Sequence, residues 1–206
     1  MNEVLQQVRV LRLGLVDYEI ALNKMREFTS QRDADTPDEL WLLEHPPVYT
    51  LGLAADAAHG PRAHSTIPVV QVERGGEITY HGPGQLVLYT LVDLARRGIK
   101  VKQFVAMLEQ SVIDLLGGRA ERRTGAPGIY VDGAKVAALG IRVSRGCAFH
   151  GLSLNVDMDL APFEAIDPCG NPGLKVTQTR ELGIRGSTQT LGGRLAAILA
   201  AKLEHA

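Results

Sequence analysis

The stretch IYVDGAKVAALGIRV, residues 129–143, decides the fold class of this chain. Two apolar runs, Ile129–Val131 and Lys135–Val143, flank the dipeptide Asp132-Gly133. An Asp-Gly pair between apolar runs is the strongest short-range signal for a β-hairpin, because both residues tolerate the positive φ of a tight turn. The stretch therefore predicts antiparallel sheet rather than a regular alternation of parallel strands and helices.

Helical and extended patterns continue on both sides of this hairpin. Apolar side chains recur at helical spacing near residues 16–30 and from Phe104 to Leu115, where Gly117-Gly118 ends the helix. A last helix is predicted over Thr188–Leu203. We predict one domain over residues 1–206, a mixed α/β fold whose largely antiparallel sheet is flanked by helices. The other predicted strands are Val8–Leu13, Leu40–Leu43, Val48–Leu51, Val69–Val72, Leu86–Leu94 and Cys147–Val156.

The composition excludes several classes of protein. The 206 residues include 22 Lys+Arg and 23 Asp+Glu, a net charge of −1, so no nucleic-acid partner is expected. The 2 cysteines build no disulfide framework, and no metal-ligand spacing is present. A reducing, cytoplasmic location is therefore expected. We see no signal peptide and no window near ~18 unbroken apolar residues, so no membrane span is expected.

The first candidate site is the glycine-rich stretch Arg74–Gln85, RGGEITYHGPGQ. Glycine lets a ligand approach the backbone closely. Arg74 offers a planar set of donors, and His81 can donate, accept or transfer a proton. An elaborate hairpin loop is the structural alternative, but the density of polar side chains between two apolar strands favours a site.

The second candidate is Lys135. Strand alternation places it on the same face as Ala137, Leu139 and the following odd-numbered residues. Lysine is almost never fully buried unless paired, and a desolvated lysine can act as a base. Alternatively, its position at the start of the strand would let the side chain extend to water.

The third candidate is Cys169 in the segment Ile166–Gly170, IDPCG. Flanking proline and glycine predict an irregular turn. A nearby cation there would favour the nucleophilic thiolate; an inert loop thiol is the alternative. Cys147 lies in a strand-like run and is expected to be a small buried hydrophobe. Lys135 is a candidate partner for Cys169, although sequence alone does not bring the two together.

Two further features favour structural explanations. His150 shares strand parity with Ala148 and Leu152, which predicts a core histidine with satisfied nitrogens; a role beside a site is the alternative, because Gly151-Leu152-Ser153 follows. Two groups of basic residues are interpreted as solvated surface charge rather than as a docking patch for an acidic partner. These groups are Arg96, Arg97, Lys100 and Lys102, and Arg119, Arg122 and Arg123.

Over about residues 40–180 the sequence resembles the octanoyltransferases of lipoate biosynthesis, the octanoyl-acyl carrier protein:protein N-octanoyltransferases. Their motifs follow one another in the expected order and are jointly very specific. They are Glu44–Gly52 (EHPPVYTLG), Arg74–Tyr89, Gly125–Val131 (GAPGIYV), Lys135–Arg142 (KVAALGIR), Phe149–Asp157 (FHGLSLNVD) and Pro168–Gly170 (PCG).

The resemblance implies a catalytic domain with the fold of biotin and lipoate protein ligases, in which a mixed sheet and flanking helices hold an acyl tunnel. It implies that Cys169 carries the acyl group and that Lys135 is its catalytic partner. It also implies that three segments bind the acyl substrate. These comprise Arg74, Gly75, Gly76, Glu77, Ile78, Thr79, Tyr80 and His81; Ala138, Leu139 and Gly140; and Gly151, Leu152 and Ser153.

The implied reaction transfers an octanoyl or lipoyl group from the thioester of acyl carrier protein to a lysine of a lipoyl domain, through an acyl-Cys169 intermediate. The expected acceptors are lipoyl domains of 2-oxoacid dehydrogenases and the glycine cleavage H protein, and a monomer is expected. Since a thioester is already activated, no ATP, metal or other cofactor is expected. Two alternatives stay open: an ATP-dependent lipoate–protein ligase of the same fold, and a non-catalytic module that binds acyl carrier protein or lipoyl domains.

Overall fold

Two β-sheets and three α-helices form the part of the chain that the computed structural model describes, residues 7–56, 60–61, 65–168 and 173–206. The helices are α1 (Tyr18–Gln31), α2 (Val101–Leu116) and α3 (Thr188–Glu204). The strands are β1 (Arg9–Leu15), β2 (Glu39–Glu44), β3 (Val48–Leu51), β4 (Val69–Gln71), β5 (Ile78–His81), β6 (Gln85–Asp93), β7 (Glu121–Arg123), β8 (Ala126–Val131), β9 (Ala134–Ser144) and β10 (Cys147–Asn155).

The larger sheet has the strand order β1-β2-β6-β10-β9-β8-β7, and the smaller one β4-β3-β5. Every neighbouring pair in the larger sheet is antiparallel except β1 with β2. The predicted hairpin is confirmed: β8 and β9 are joined at Asp132 and Gly133, whose φ angles are 49° and 86°. The predicted class, a mixed and largely antiparallel sheet with flanking helices, is also confirmed.

Strand β6 is buried on both faces, as its continuous apolar sequence predicts. Leu86 and Leu88 pack into a hydrophobic cluster with α2 and α3. Val87 and Tyr89 alternate with them and pack into a second cluster with α1. The sheet therefore divides the core into an α2–α3 side and an α1 side.

Two strands occur where the sequence predicted none. Ile78–His81 was expected to be part of a loop, but it forms β5 and pairs with β3, with Thr79 opposite Thr50. Glu121–Arg123 forms the exposed edge strand β7. Both are short and lack local alternation, so only pairing with distant residues stabilises them. None of the helices in the described residues is long and apolar enough to cross a membrane.

Two of the arginines that were expected to be solvated instead contact a buried carboxylate. Asp38 is fully buried, and it accepts hydrogen bonds from Arg32 and Arg97 at 2.5 Å and from Arg96 at 2.9 Å. The Arg97 guanidinium also donates to the carbonyl of Leu203 at 2.7 Å, near the end of α3. The interpretation of Arg96 and Arg97 as solvated charge is therefore wrong, since both converge on one acid.

Replacement Asp38→Asn is expected to destabilise the fold by about 3 kcal/mol, because three guanidinium groups would lose their common counter-ion in a buried site. Urea unfolding measures this change in the free energy of unfolding. The matched control is Asp132→Asn, which breaks the exposed pair with Arg119 and is expected to cost less than about 0.5 kcal/mol. Equal effects of the two substitutions would contradict a structural role for the Asp38 cluster.

Candidate active site

A pocket lies on the α1 side of the large sheet, between strands β6, β9 and β10 and the segment that leads into β5. All three predicted acyl-binding segments meet at it. Gly75 and Tyr80 are the predicted residues that do not line it. The lining residues are Tyr18, Arg74, Gly76, Glu77, Ile78, Thr79, His81, Val87, Tyr89, Ala138, Leu139, Gly140, His150, Gly151, Leu152 and Ser153.

Strand pairing brings these distant segments together. Gly151 lies opposite both Tyr89 of β6 and Gly140 of β9. Ser153 lies opposite both Val87 and Ala138. Two rows of residues thus cross the sheet, and they form one wall of the pocket.

The glycine-rich loop forms the opposite wall, and Arg74 holds it in place. The buried Arg74 guanidinium donates to the carbonyl and hydroxyl oxygens of Thr50, both at 2.7 Å, and to the Gly75 carbonyl at 3.0 Å. The Gly75 amide donates to the carbonyl of Ile141 in β9 at 3.0 Å. Arg74 and Gly75 therefore fasten the loop to both sheets.

Glycines permit this close approach. A Cβ atom on Gly140 would lie 2.6 Å from the Gly75 carbonyl oxygen, well inside van der Waals contact. A Cβ on Gly151 would collide with the carbonyl of Leu88. These two positions need glycine because neighbouring backbone occupies the space of a side chain, whatever their φ angles.

Lys135 reaches the pocket side because strand alternation breaks immediately after it. Ile129 pairs with Ala137 while Tyr130 pairs with Lys135, so Val136 is an extra residue in β9, a β-bulge. A bulge re-aims the neighbouring side chain. Val136 and Ala137 both pack on the α2–α3 side. The expectation that Lys135 shares a face with the row from Ala137 onward is therefore wrong.

The ammonium group of Lys135 is buried. The residue is 4% exposed, Nζ donates to the Pro127 carbonyl at 2.8 Å, and Nζ lies 5.5 Å from the centre of the Tyr130 ring. Gly128 leaves room for it, since a Cβ there would collide with Lys135 Cε and lie 2.9 Å from Nζ. The alternative in which Lys135 extends to water is thereby excluded.

Lys135 lies beside the segment that contains Cys169. Pro168 lines a small cavity with Lys135, and Thr79, Ala138 and Ser153 border both this cavity and the main pocket. Cys169 and Gly170 themselves lie outside the described residues, so the contact between Cys169 and Lys135 stays a prediction.

The chain that follows Cys169 is paired with Lys135 through its backbone. The Lys135 amide donates to the carbonyl of Lys175 at 2.8 Å, and the Thr177 amide donates to the carbonyl of Lys135 at 2.9 Å. Residues on both sides of the segment 169–172 therefore lie close to Lys135.

His81 belongs to a buried hydrogen-bond network. Its Nδ1 lies 2.6 Å from Gln85 Oε1, and Gln85 Nε2 donates to Asn155 Oδ1 at 2.9 Å. Because Gln85 presents its oxygen, Nδ1 carries the proton and Nε2 is left as an acceptor. Asn155 Nδ2 in turn donates to the Thr177 carbonyl. The network connects the glycine-rich loop with the segment paired to Lys135.

His150 departs from its sequence-based expectation. It is 1% exposed, but neither ring nitrogen has a hydrogen-bond partner among the described residues, so it is not a satisfied core histidine. Its φ of 61° breaks the alternation of β10. Its ring stacks on Phe149 and meets the edge of Tyr89, both on the α1 side. The alternative of a role beside the site matches this placement.

Sequence reasoning missed Tyr18, Val87 and Tyr89 as pocket residues. Tyr89 shares strand parity with Val87, and this signal was available once the pocket face of β6 was known. Nothing local distinguishes Tyr18 from the other buried residues of α1. Cys147 is a buried free cysteine, as expected. The described residues contain no group of three or more histidine, cysteine, aspartate or glutamate side chains placed to hold a metal ion.

The fold is shared with known protein ligases. Lipoate-protein ligase A bound with ATP superposes with a TM-score of 0.80 at 14% identity, over 96% of this chain and 86% of that one. A bi-partite lipoate protein ligase from Thermoplasma acidophilum gives 0.77 at 14% identity, over 96% and 84%. The biotin protein ligase of Aquifex aeolicus in complex with biotin and ATP gives 0.54 at 10% identity, over 96% and 70%. These similarities define the fold class: the catalytic domain of lipoate and biotin protein ligases.

Sequence comparison identifies the family within this fold class. The family model described as the lipoyl protein ligase A/B catalytic domain matches residues 17–191. An octanoyltransferase of Thiobacillus denitrificans is 60% identical over 183 residues, 87% of this chain and 84% of the relative. One from Aromatoleum aromaticum is 57% identical over 189 residues, 90% of this chain and 81% of the relative. The chain belongs to the lipoyl protein ligase A/B catalytic domain family.

The buried histidines predict loss of stability in mild acid. Burial lowers the pKa of His45 to about 4, of His81 to about 3 and of His150 to about 4. An unfolded histidine titrates near ~6.5, so below that pH the unfolded chain binds more protons and stability is lost as pH falls. Between ~pH 7 and ~pH 5.5 we expect a loss of about 1 kcal/mol for each histidine, measured by urea unfolding.

Two variants test whether His150 contributes to this loss of stability in mild acid. His150→Phe removes one buried titrating group and is expected to reduce the pH dependence by about a third of the histidine contribution. His205→Gln removes an exposed histidine and is expected to leave the dependence unchanged. If the His150→Phe variant kept the full pH dependence of the wild-type unfolding free energy, burial would not lower the pKa of His150 in the way described.

Proposed function

We propose that this protein transfers an octanoyl group from the thioester of acyl carrier protein to a lysine ε-amine of lipoyl domains, through a thioester on Cys169. Octanoyl transfer is supported by the curated octanoyltransferases that are 54–60% identical over 87–95% of the chain. The observation that carries the mechanism is the buried Lys135 ammonium in the small cavity that Pro168 also lines, beside the pocket. The proposed acceptors are the lipoyl domains of 2-oxoacid dehydrogenases and the glycine cleavage H protein.

The walls of the pocket suit a medium-length acyl chain. Val87, Leu139 and Leu152 supply apolar surface, and the glycines opposite them keep the cleft narrow. Burial of an alkyl chain contributes about 0.8 kcal/mol for each CH₂, or about 5 kcal/mol for an octanoyl group. This binding energy would hold the acyl chain while its carbonyl carbon lies near Lys135.

In the first half-reaction the Cys169 thiolate attacks the carbonyl carbon of the acyl carrier thioester. A new C–S bond forms, the bond to the carrier sulfur breaks, and the carrier leaves as a thiol after it takes up a proton. The Lys135 ammonium stabilises the attacking thiolate, since an opposite charge within ~4–6 Å favours the charged form. The same ammonium can supply the proton to the leaving sulfur.

In the second half-reaction the lysine amine of the lipoyl domain attacks the acyl-Cys169 thioester. The C–N bond forms, the C–S bond breaks, and the Cys169 thiolate is regenerated. Neutral Lys135 accepts the proton that the attacking amine loses, which restores its ammonium form. The thioester supplies the activation, so the proposed reaction needs neither ATP nor a metal ion.

Incubation with octanoyl-acyl carrier protein in the absence of ATP is expected to produce an enzyme one octanoyl group heavier in an intact mass spectrum. Cys169→Ala is expected to abolish the adduct, whereas Cys147→Ala is the matched control that retains it. Acylation of a lipoyl domain only when ATP is present, with no adduct on Cys169, would favour the lipoate–protein ligase alternative. Absence of both adduct and acylation would favour the non-catalytic binding module.

Replacement Lys135→Ala is expected to raise the pKa of the Cys169 thiol and to slow its alkylation by iodoacetamide at neutral pH about tenfold or more, because an adjacent positive charge is lost. The rate is measured on Cys169 by peptide mass spectrometry across a pH series. Lys175→Ala is the control, since it removes an exposed positive charge from the same region. Unchanged alkylation in Lys135→Ala would remove Lys135 from its proposed role.

A further inference from the structure

Two side-chain amides beside Lys135 have no role in the proposed chemistry. Gln85 is 1% exposed and Asn155 is 5% exposed, and both line the small cavity that contains Lys135. Burying an amide is costly unless its donor and acceptor atoms are paired. The partners of these two amides therefore indicate which parts of the site they hold in place.

A chain of hydrogen bonds runs through both amides, and backbone carbonyls fix its direction. A carbonyl can only accept, so Asn155 presents Nδ2 to the Thr177 carbonyl at 2.9 Å and its oxygen to Gln85. Gln85 Nε2 donates to that oxygen at 2.9 Å and to the Tyr80 carbonyl at 3.1 Å, which leaves Oε1 to accept from His81 Nδ1. The nitrogen and oxygen of both amides are thus all bonded.

The Thr177 end of this chain of bonds lies in residues 175–179, the segment that follows Cys169. This segment meets Lys135 through two backbone hydrogen bonds, which form an isolated parallel bridge between Lys135 and Val176. Strand pairing this short is marginal by itself. A side chain that binds the Thr177 carbonyl therefore contributes to keeping the segment beside Lys135.

The two amides extend from the large sheet. Asn155 is the last residue of β10 and lies opposite Gln85, the first residue of β6. The backbone carbonyl of Asn155 also accepts from the Thr179 amide at 2.9 Å. Groups on strands are held more precisely than groups on loops. The sheet therefore provides a fixed reference for the segment 175–179 and, through His81, for the glycine-rich loop.

We propose that Asn155 is a positioning residue, whose side-chain amide holds the segment that follows Cys169 against Lys135. Its bond to Gln85 aligns this segment with the glycine-rich loop, which forms a wall of the acyl pocket. The proposal rests on the proposed function, since it takes Cys169 and Lys135 to be the reacting pair. Stabilisation of a thiolate by a cation falls with their separation, and a misplacement of ~1 Å in a site costs up to ~10²-fold in rate.

The test measures alkylation of Cys169 by iodoacetamide across a pH series, on the full chain and by peptide mass spectrometry. Asn155→Leu keeps a similar side-chain volume but removes both amide bonds. The midpoint of the pH profile is expected to rise, and the rate at neutral pH to fall about threefold or more, because the thiolate and the Lys135 ammonium move apart. An unchanged midpoint would overturn the proposal.

A second arm separates positioning from a loss of stability. In a Lys135→Ala background, Asn155→Leu is expected to cause no further shift of the midpoint, because Asn155 acts through Lys135. Equal shifts in the two backgrounds would overturn the proposal. If Lys135→Ala by itself leaves alkylation unchanged, the role of Lys135 in the proposed function fails, and this proposal fails with it. A shift with Lys135→Ala but none with Asn155→Leu refutes only the role of Asn155.

Ser111→Ala is the matched control. Ser111 is fully buried in α2, and its hydroxyl donates to the Met107 carbonyl at 2.8 Å. The substitution therefore also removes a buried hydrogen bond from a side chain to the backbone, but away from the site. It is expected to lower the free energy of unfolding without moving the alkylation midpoint. A shift as large as that of Asn155→Leu would contradict a positioning role.

Amide hydrogen exchange, followed by NMR, gives a readout that needs no thiol chemistry. The Lys135 and Thr177 amides donate the two bonds that join Lys135 to the segment 175–179. In Asn155→Leu both are expected to exchange about tenfold faster, which corresponds to the net contribution of one hydrogen bond. If Asn155→Leu does not fold, the smaller replacement Asn155→Ser is measured in the same two ways. Unchanged exchange at both amides in a folded variant would overturn the proposal.

Discussion

The contact between the glycine-rich loop and strand β9 is the constraint on which the site depends. The loop backbone approaches Gly140 so closely that a methyl group at that position would displace it, and the Arg74 guanidinium fastens the loop to Thr50 in the smaller sheet. The Arg74 guanidinium and the Gly75 amide, which donates to the Ile141 carbonyl of β9, therefore together join the two sheets at the pocket wall. Because the surfaces that face each other are backbone rather than side chains, no side chain fills the cleft between them.

The protonation states of the pocket histidines follow from their burial. Burial keeps His81 and His150 neutral, so neither histidine places a positive charge in the pocket near neutral pH. The Lys135 ammonium lies instead at the other end, held by the Pro127 carbonyl and the Tyr130 ring. Under the proposed mechanism the Lys135 ammonium thus lies where a thiolate would react, while the Arg74 guanidinium at the pocket wall is bonded to Thr50 and to the Gly75 carbonyl.

Local patterns predicted most of the framework but failed at two positions that concern function. The hairpin at Asp132-Gly133 and the buried strand β6 were predictable, since turn chemistry and continuous apolar sequence are local signals. Alternation placed Lys135 and His150 on the wrong faces. A bulge at Val136 places Lys135 on the opposite face from the one predicted, and a left-handed φ does the same for His150. Neither irregularity has a local signal, because tertiary packing imposes both.

By itself, the sequence predicted most of the elements, the family and the candidate catalytic residues, because turns, periodicity and motifs depend on residues that are neighbours in the chain. Only the tertiary structure decided that β6, β9 and β10 lie side by side, so that the three predicted segments form one pocket. It alone decided that Lys135 lies in a cavity beside that pocket, and that His150 lines the pocket with no partner for its ring nitrogens in the described part of the chain. Pairing between strands far apart in the chain depends on long-range hydrogen bonds and burial, which no local stretch of sequence encodes.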